Sequence, residues 1–330
     1  MMIDNKVTVT FFLVTYNQEK YVREAIEGAF SQTYSPLEIV ISDDCSKDGT
    51  FRIIEKMAAE YKGPHRIVIN RNNENLGLIR HSNRITELSS GELIICADGD
   101  DISLPHRTAR VVEKYLESNR EPAVIFSSVN LIDTEGNKIG IRVPPVISQG
   151  MSIEEMAVSG ALIIGAAKAI TRKIVETFGS IKYDKCSDDL VIGFRGALLG
   201  GFEYISEPLI LYRHEVGMSS SSNLQKQTYE QKVNRQIKSQ EVFLAVLSQR
   251  MEDSKKIGNV DLLQMIHSKR TEELLRRKVW TGNYPFMKLL SYSIKKRLFG
   301  VFLQGLLRER KWRIFIPLRN LPSRISAIPQ

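Results

Sequence analysis

Apolar and polar residues change period repeatedly along the first 130 or so positions. Lys6–Thr15 is a run of β-branched and aromatic side chains, which predicts a buried strand. In Tyr21–Ser31 the apolar residues fall at Tyr21, Val22, Ala25, Ile26, Ala29 and Phe30, the spacing of one helical face. The pattern goes on to predict strands at Leu37–Ser42, Arg66–Asn70, Glu92–Ala97 and Ala123–Ile132. Between them it predicts helices at Thr50–Tyr61, near Arg80–Ser89, and from Pro105 to about Glu117, because proline is tolerated in a first helical turn. Strands alternating with helices predict an α/β fold with a mostly parallel central sheet flanked by helices. Such a sheet takes its ligands outside the carboxyl ends of its strands.

From about residue 138 the pattern is less regular. It predicts helices at Arg172–Phe178 and Ser187–Leu199 and a strand pair, Phe202–Ile205 and Leu209–Tyr212. The polar stretch Ser219–Ser222 predicts a boundary, which divides the chain into 1–222 and a helical 223–330. A hydrophobic share of 42% and a charged share of 25% exclude general disorder and fibrous repeats. No apolar stretch reads as a membrane span or a secretory signal, and three scattered cysteines, Cys45, Cys96 and Cys186, argue against a disulfide framework. These features predict a cytoplasmic protein. Its charge is uneven: Arg276 to the end carries 13 Lys/Arg and one acidic residue, whereas residues 1–275 carry 33 against 37. A tail of +12 on a body of −4 predicts an anionic partner for the tail.

Neither GxG nor GxxxxGK[ST] occurs, so the two common glycine-rich phosphate cradles are absent. Asp98-Gly99-Asp100-Asp101 follows a predicted strand directly. Three carboxylates in four residues suit a hard divalent cation, or equally a solvated turn before the Pro105 helix; the strand-end position favours the cation. Asp43-Asp44 ends another strand and reads as a ligand for a base or ribose, or as a turn. Ser187-Asp188-Asp189 opens a helix, where Ser and Asp are favoured by capping and by the helix dipole; a general base facing the crevice is the other reading. Arg213-His214 ends the last strand, where either could neutralise phosphate or lie on the surface.

The order of these motifs resembles the family 2 glycosyltransferases. The resemblance rests on VTFFLVTYNQEKYVREAIEGAFSQTY, LEIVISDDCSKDGT, NENLGLIRHSN, GELIICADGDDISLPHR and SDDLVIGFRGALLGGFEYISEPLILYRH, over roughly residues 7–220. It implies the GT-A nucleotide-diphospho-sugar transferase fold and an inverting, hexosyl-type transfer. It further implies that Val14, Thr15, Tyr16 and Asp44 hold the nucleotide base, with Asp43 nearby. Asp98 and Gly99 would lie by the ribose and diphosphate, Asp100 would ligate Mn²⁺ or Mg²⁺, and Asp189 would be the catalytic base. Arg80 and Arg213 are the candidate diphosphate contacts. The chain departs from the family pattern at Val14 for proline, Ser82 for arginine and Asp188 for glutamate, and His214 stands one residue early.

The expected partners are a UDP-, dTDP- or GDP-sugar donor and a glycan or lipid-linked glycan acceptor of bacterial surface polysaccharide synthesis. The tail mixes Phe, Leu, Trp and Tyr with Lys and Arg, which suits peripheral attachment to an anionic inner membrane face, or packing on the catalytic body. Nucleic acid is not an expected partner, since no recognisable module for it is present. A non-catalytic nucleotide-sugar-binding protein and a basic-tailed nucleic-acid-binding protein are the competing classes.

Overall fold

The computed structural model describes residues 6–214, 228–281, 286–295 and 298–302. The chain forms two compact units, Met1–Ile266 and His267–Gln330. The first runs β1 (Val9–Thr15), α1 (Val22–Phe30), β2 (Glu38–Asp43), α2 (Thr50–Glu60), β3 (Arg66–Arg71), α3 (Leu78–Asn83), α4 (Ile85–Leu88), β4 (Leu93–Asp98), β5 (Ile102–Ser103) and α5 (Arg107–Glu117). It continues through β6 (Val124–Ile132), β7 (Lys138–Arg142), α6 (Pro145–Ser148), α7 (Ile153–Val158), a 3-10 turn at Gly165–Ala167, β8 (Lys168–Thr171), α8 (Arg172–Phe178), α9 (Asp188–Leu198), β9 (Phe202–Arg213) and α10 (Tyr229–Ile257). The boundary between the units falls within α11 (Val260–Thr281).

The strands form one nine-stranded sheet in the order β3-β2-β1-β4-β8-β6-β9-β5, with β7 on β6. Its first four strands are parallel, as the alternation predicts. Beyond β4 the sheet is mixed: β8 is antiparallel to both β4 and β6, β6 is parallel to β9, and β5 and β7 add antiparallel edges. Period-two burial puts Phe11, Leu13, Ile39, Ile41 and Ile95 on one face, with residues of α1, α2 and α5. Phe12, Val40, Ile94 and Phe126 line the other face, with residues of α7, α8, α9 and α10. The C-terminal helix α10 therefore belongs to the core of the first unit.

Three local expectations change. Phe202–Ile205 and Leu209–Tyr212 are one strand, β9, which bulges at Ser206–Glu207 before Pro208 resumes pairing with β6. The helix expected near 80–89 is two short ones, α3 and α4. The turn at Asp133–Asn137 leads into β7, an unforeseen strand whose residues are largely exposed.

In the second unit, Leu275, Leu289 and Phe302 are buried together, with α12 (Phe286–Lys295) supplying Leu289. Met287, Ile294 and Phe299 are 70%, 59% and 46% exposed. Among the described residues no helix is long and apolar enough to cross a membrane. The predicted boundary at Ser219–Ser222 and the basic stretch 303–330 lie outside the described residues.

Candidate active site

Register across the parallel strands sets four polar groups along one end of the sheet. Thr15 is level with Asp43 and Asp43 with Arg71, while Val14 is level with Asp98 on the other side. Thr15 Oγ1 donates to the Asp43 carboxylate at 3.2 Å. Asp43 is wholly buried and also accepts the Ser46 N–H at 2.9 Å and the Ser46 hydroxyl at 2.5 Å. Asp44 faces the next loop: its two oxygens accept Asn72 Nδ2 at 2.8 Å and the N–H groups of Leu76 and Gly77 at 2.9 Å. Gly77, at φ +77°, takes the left-handed conformation that this turn requires. Both aspartates thus brace the crevice wall.

The loop after β1 is tied to the loop after β2. Asn17 N–H donates to Ser46, Gln18 N–H to Thr50, and Lys47 N–H to Asn17 Oδ1. Pinned in this way, Tyr16 stands outward at 42% exposure. Gly99 closes on the same turn: its N–H donates to Val14 O at 2.9 Å, and a Cβ there would lie 2.4 Å from Gln18 Oε1 and 2.8 Å from Thr15 Cγ2.

Asp98, Asp100 and Asp101 crowd the end of β4. Burial, then the charge of Asp100, pushes the Asp98 carboxyl up to about 7, with Lys168 and Arg107 pulling it back. Burial also raises Asp100. Asp101 is raised well above the usual carboxylate range by burial and by its two neighbours. Its Oδ1 accepts the Arg213 N–H at 2.9 Å, whereas its buried Oδ2 has no partner. Burial opposes the ionisation of all three carboxyls and one buried oxygen is orphaned, so a hard divalent ion bound here would stabilise their charged form. Among the described residues no three metal-ligating side chains converge on one point. The carboxylates present would suit an ion that takes one or two ligands from protein and the rest from phosphate and water.

Asp189 lies in the first turn of α9. Burial and the adjacent Asp188 raise its carboxyl above the ordinary value, against the Ser187 hydroxyl and Lys168. The Ser187 hydroxyl and the Leu190 N–H both donate to Oδ1. Asp188 accepts Lys168 Nζ at 2.7 Å on Oδ2 and the Asp189 N–H at 2.9 Å on Oδ1. The same α9 is held from behind by α10. Arg250, 0% exposed, donates to Leu190 O at 2.8 Å, Ala157 O at 3.1 Å and Ser159 O at 2.8 Å.

The family model for glycosyl transferase family 2 matches residues 10–177, just over half of the chain. The chain belongs to glycosyl transferase family 2. A Bacillus subtilis protein named as a glycosyltransferase, EpsE, is 28% identical over 195 residues, 57% of this chain and 68% of that one. A Mycobacterium tuberculosis protein is 27% identical over 202 residues, and the match spans 57% of its length. An uncharacterised glycosyltransferase of Haemophilus influenzae is 26% identical over 309 residues, 90% of this chain and 91% of that one. Two solved structures share the fold. S. aureus TarS 1–349 with UDP-GlcNAc superposes at TM-score 0.55 and 15% identity over 92% of each chain. A Pyrobaculum calidifontis mannosyltransferase with GDP-Man and Mn²⁺ superposes at TM-score 0.54 and 15% identity, over 93% of this chain and 88% of that one. The expected GT-A fold is therefore present.

In this family 2 glycosyltransferase the expected site residues fall into two groups. Val14, Thr15, Tyr16, Asp43, Asp44, Asp98, Gly99 and Asp100 lie at one end of the parallel strands or in the turns that leave it. Arg80 and Arg213 are engaged elsewhere. Arg80 Nε donates to Leu76 O at 3.0 Å and lies 3.8 Å from Asp184, exposed on α3. Arg213 is buried, pairs with Glu24, reaches the carbonyls of Asp133 and Thr134, and stacks on Tyr21 at 4.7 Å. It meets the acidic cluster by its backbone N–H, which donates to Asp101, and its charge favours ionisation of Asp100. His214 Nδ1 faces Arg142 Nη2 at 3.2 Å. Sequence reasoning missed Lys168 and Arg250. The signal for Lys168 was a lone charge inside the apolar run 161–170, which demands a buried partner.

Proposed function

We propose that this glycosyltransferase moves a sugar from a nucleoside diphosphate sugar to an acceptor hydroxyl with inversion, and that Asp189 is its base. The observation that best supports this reading is electrostatic: the buried Lys168 acts on both Asp98, at the end of β4, and Asp189, at the start of α9. In this reading the donor-side and acceptor-side carboxylates flank the same buried cation.

In this reading Val14, Thr15 and Tyr16 form the edge that receives the base, and Asp43 and Asp44 hold that edge in shape. Gly99 lets the backbone approach, with Asp98 beside the ribose and diphosphate. Arg80, exposed on a short helix, can turn from Asp184 to the diphosphate. Asp189 accepts the acceptor hydroxyl proton on Oδ2 while the hydroxyl oxygen bonds the anomeric carbon. The bond from that carbon to the diphosphate oxygen breaks on the opposite face, and the nucleoside diphosphate leaves with the electron pair. Mn²⁺ or Mg²⁺ on Asp100 would neutralise the charge gathering on the leaving diphosphate. A base raised above the ordinary carboxylate range is better matched to its task near neutral pH.

The acceptor we propose is a lipid-linked glycan of bacterial surface polysaccharide synthesis, reached at the inner membrane face. Exposed Met287, Ile294 and Phe299, together with the basic tail, support this. The deciding experiment is Asp189→Asn. Turnover should fall by roughly 10²–10⁴-fold with nucleotide affinity kept. Near-normal turnover would remove Asp189 as the base.

A further inference from the structure

Lys168 occupies an expensive place. It starts β8, between β4 and β6 near the middle of the sheet, and is level with Phe126. Its side chain is 7% exposed. The ammonium meets Asp188 Oδ2 at 2.7 Å and Gly165 O at 3.1 Å. An ion pair in such a position adds little stability over an apolar pair of similar volume. Stability alone therefore does not account for it.

Its connections run toward Asp189. Asp188 clamps the Asp189 N–H with one oxygen and Lys168 with the other. Gly165, the residue whose carbonyl Lys168 holds, lies against both: a Cβ there would sit 3.7 Å from Asp189 Cβ and 3.8 Å from Lys168 Nζ. Lys168 thus ties together the α9 start and the turn that packs against Asp189.

We propose that Lys168 is the positioning residue of Asp189: through Asp188 it sets the backbone of the α9 start, and through the Gly165 carbonyl it fixes the turn that packs on Asp189. The inference rests on Asp189 being the base. The other titratable groups nearby are Asp98 and Cys96 on β4, which act on Lys168; Arg107 on α5, whose guanidinium donates to the Lys168 carbonyl at 3.4 Å; and Arg250 on α10, on which Asp189 acts. Of the two groups adjoining Asp189 within its own crevice wall, Asp188 opposes its ionisation and Lys168 favours it. Removing one or the other should therefore move Asp189 in opposite directions. A purely structural brace would not give opposite signs.

Carbon-detected NMR of the full chain labelled with ¹³C-aspartate provides the test, with the Asp189 resonance assigned by its loss in Asp189→Asn. In Lys168→Met the Asp189 midpoint should rise by about one pH unit or more, the scale of losing a nearby opposite charge. In Asp188→Asn it should fall, and Lys168→Arg should restore the wild-type midpoint. Unchanged midpoints, or shifts of the same sign in both variants, would overturn the inference. If Lys168→Met does not melt cooperatively, Lys168→Gln, which keeps a hydrogen-bond donor for Asp188 and Gly165 but no charge, takes its place: a raised Asp189 midpoint supports the inference, and no change or a fall overturns it. The readout needs no turnover, so it stands apart from the base assignment, which Asp189→Asn kinetics test separately.

Discussion

Arg195 of α9 and Asp253 of α10 face each other as a two-pronged ion pair, Nε to Oδ2 at 2.8 Å and Nη2 to Oδ1 at 3.0 Å, with both side chains almost fully buried. Gln249 adds a hydrogen bond to Asp253 at 2.9 Å and accepts the Lys182 N–H at 2.8 Å. A helix beyond the family-matched region therefore anchors the helix that carries Asp189. Breaking a buried pair by removing one partner costs about 3–5 kcal/mol. Asp253→Ala should lower the melting temperature by roughly 6–20 °C, at about 2–4 °C per kcal/mol for a unit of this size. Thermal unfolding followed by circular dichroism checks this; an unchanged melting temperature would show that the Arg195–Asp253 pair adds nothing to the stability of the first unit.

Gly99 brings the acidic cluster against the turn after β1 with no room for a side chain. Gly99→Ala has to displace Gln18 and press on Thr15, an overpacking of about 1–3 kcal/mol. Because that turn is the proposed base-binding edge, nucleotide affinity should weaken more than global stability. Calorimetric titration beside a thermal melt separates the two. Equal affinity in the variant would mean that Gln18 swings away without moving the turn.

His81 lies beneath the Asp43–Asp44 loop, with Nε2 2.8 Å from Ser42 Oγ. Burial pushes its imidazole below the ordinary value, while Asp44 and Asp43 pull it back. The unfolded chain then binds a proton that the folded chain resists. This contribution to stability is full above the unfolded value of about 6.5 and is lost as pH falls through the folded value. Urea unfolding of wild type and His81→Gln should show the wild type losing more stability between about pH 7.5 and about pH 5. Parallel pH dependences would assign the acid sensitivity to other groups.

The membrane proposal rests on charge beside apolar surface. Changing Arg308, Arg310, Lys311 and Arg313 to Gln removes up to about 1 kcal/mol of attraction each at an anionic surface. Co-sedimentation with phosphatidylserine-containing vesicles at low salt should drop sharply, while nucleotide binding is unaffected. Equal sedimentation of variant and wild type would leave the tail as a packing or assembly element.

Much of the sheet was legible because a buried parallel strand writes itself as a compact apolar run, as in Val9–Thr15 and Leu93–Asp98. Strand β8 was not, because its four residues, Lys-Ala-Ile-Thr, follow a Gly-Ala-Ala stretch and have no period of their own. Pro208 made one bulged strand read as two, since proline cannot donate to a ladder. The carboxylates Asp98, Asp100 and Asp189 stood out through motif order and strand-end position. Their cations did not: Lys168 was hidden in an apolar run, and Arg250 is one charge among many on the 29-residue α10. Which charges a fold brings together depends on contacts between residues far apart in sequence, and Arg195–Asp253 spans 58 positions.

We propose that the end of β4 binds a nucleoside diphosphate through a divalent ion held by Asp100. Calorimetric titration of wild type and Asp100→Ala with UDP, GDP and dTDP, with and without Mn²⁺, tests it most directly. Wild type should bind at least one of these nucleotides markedly more tightly with Mn²⁺, and Asp100→Ala should lose the metal-dependent part while keeping a normal melt. An Asp100→Ala variant that binds its preferred nucleotide in Mn²⁺ as tightly as wild type would contradict it.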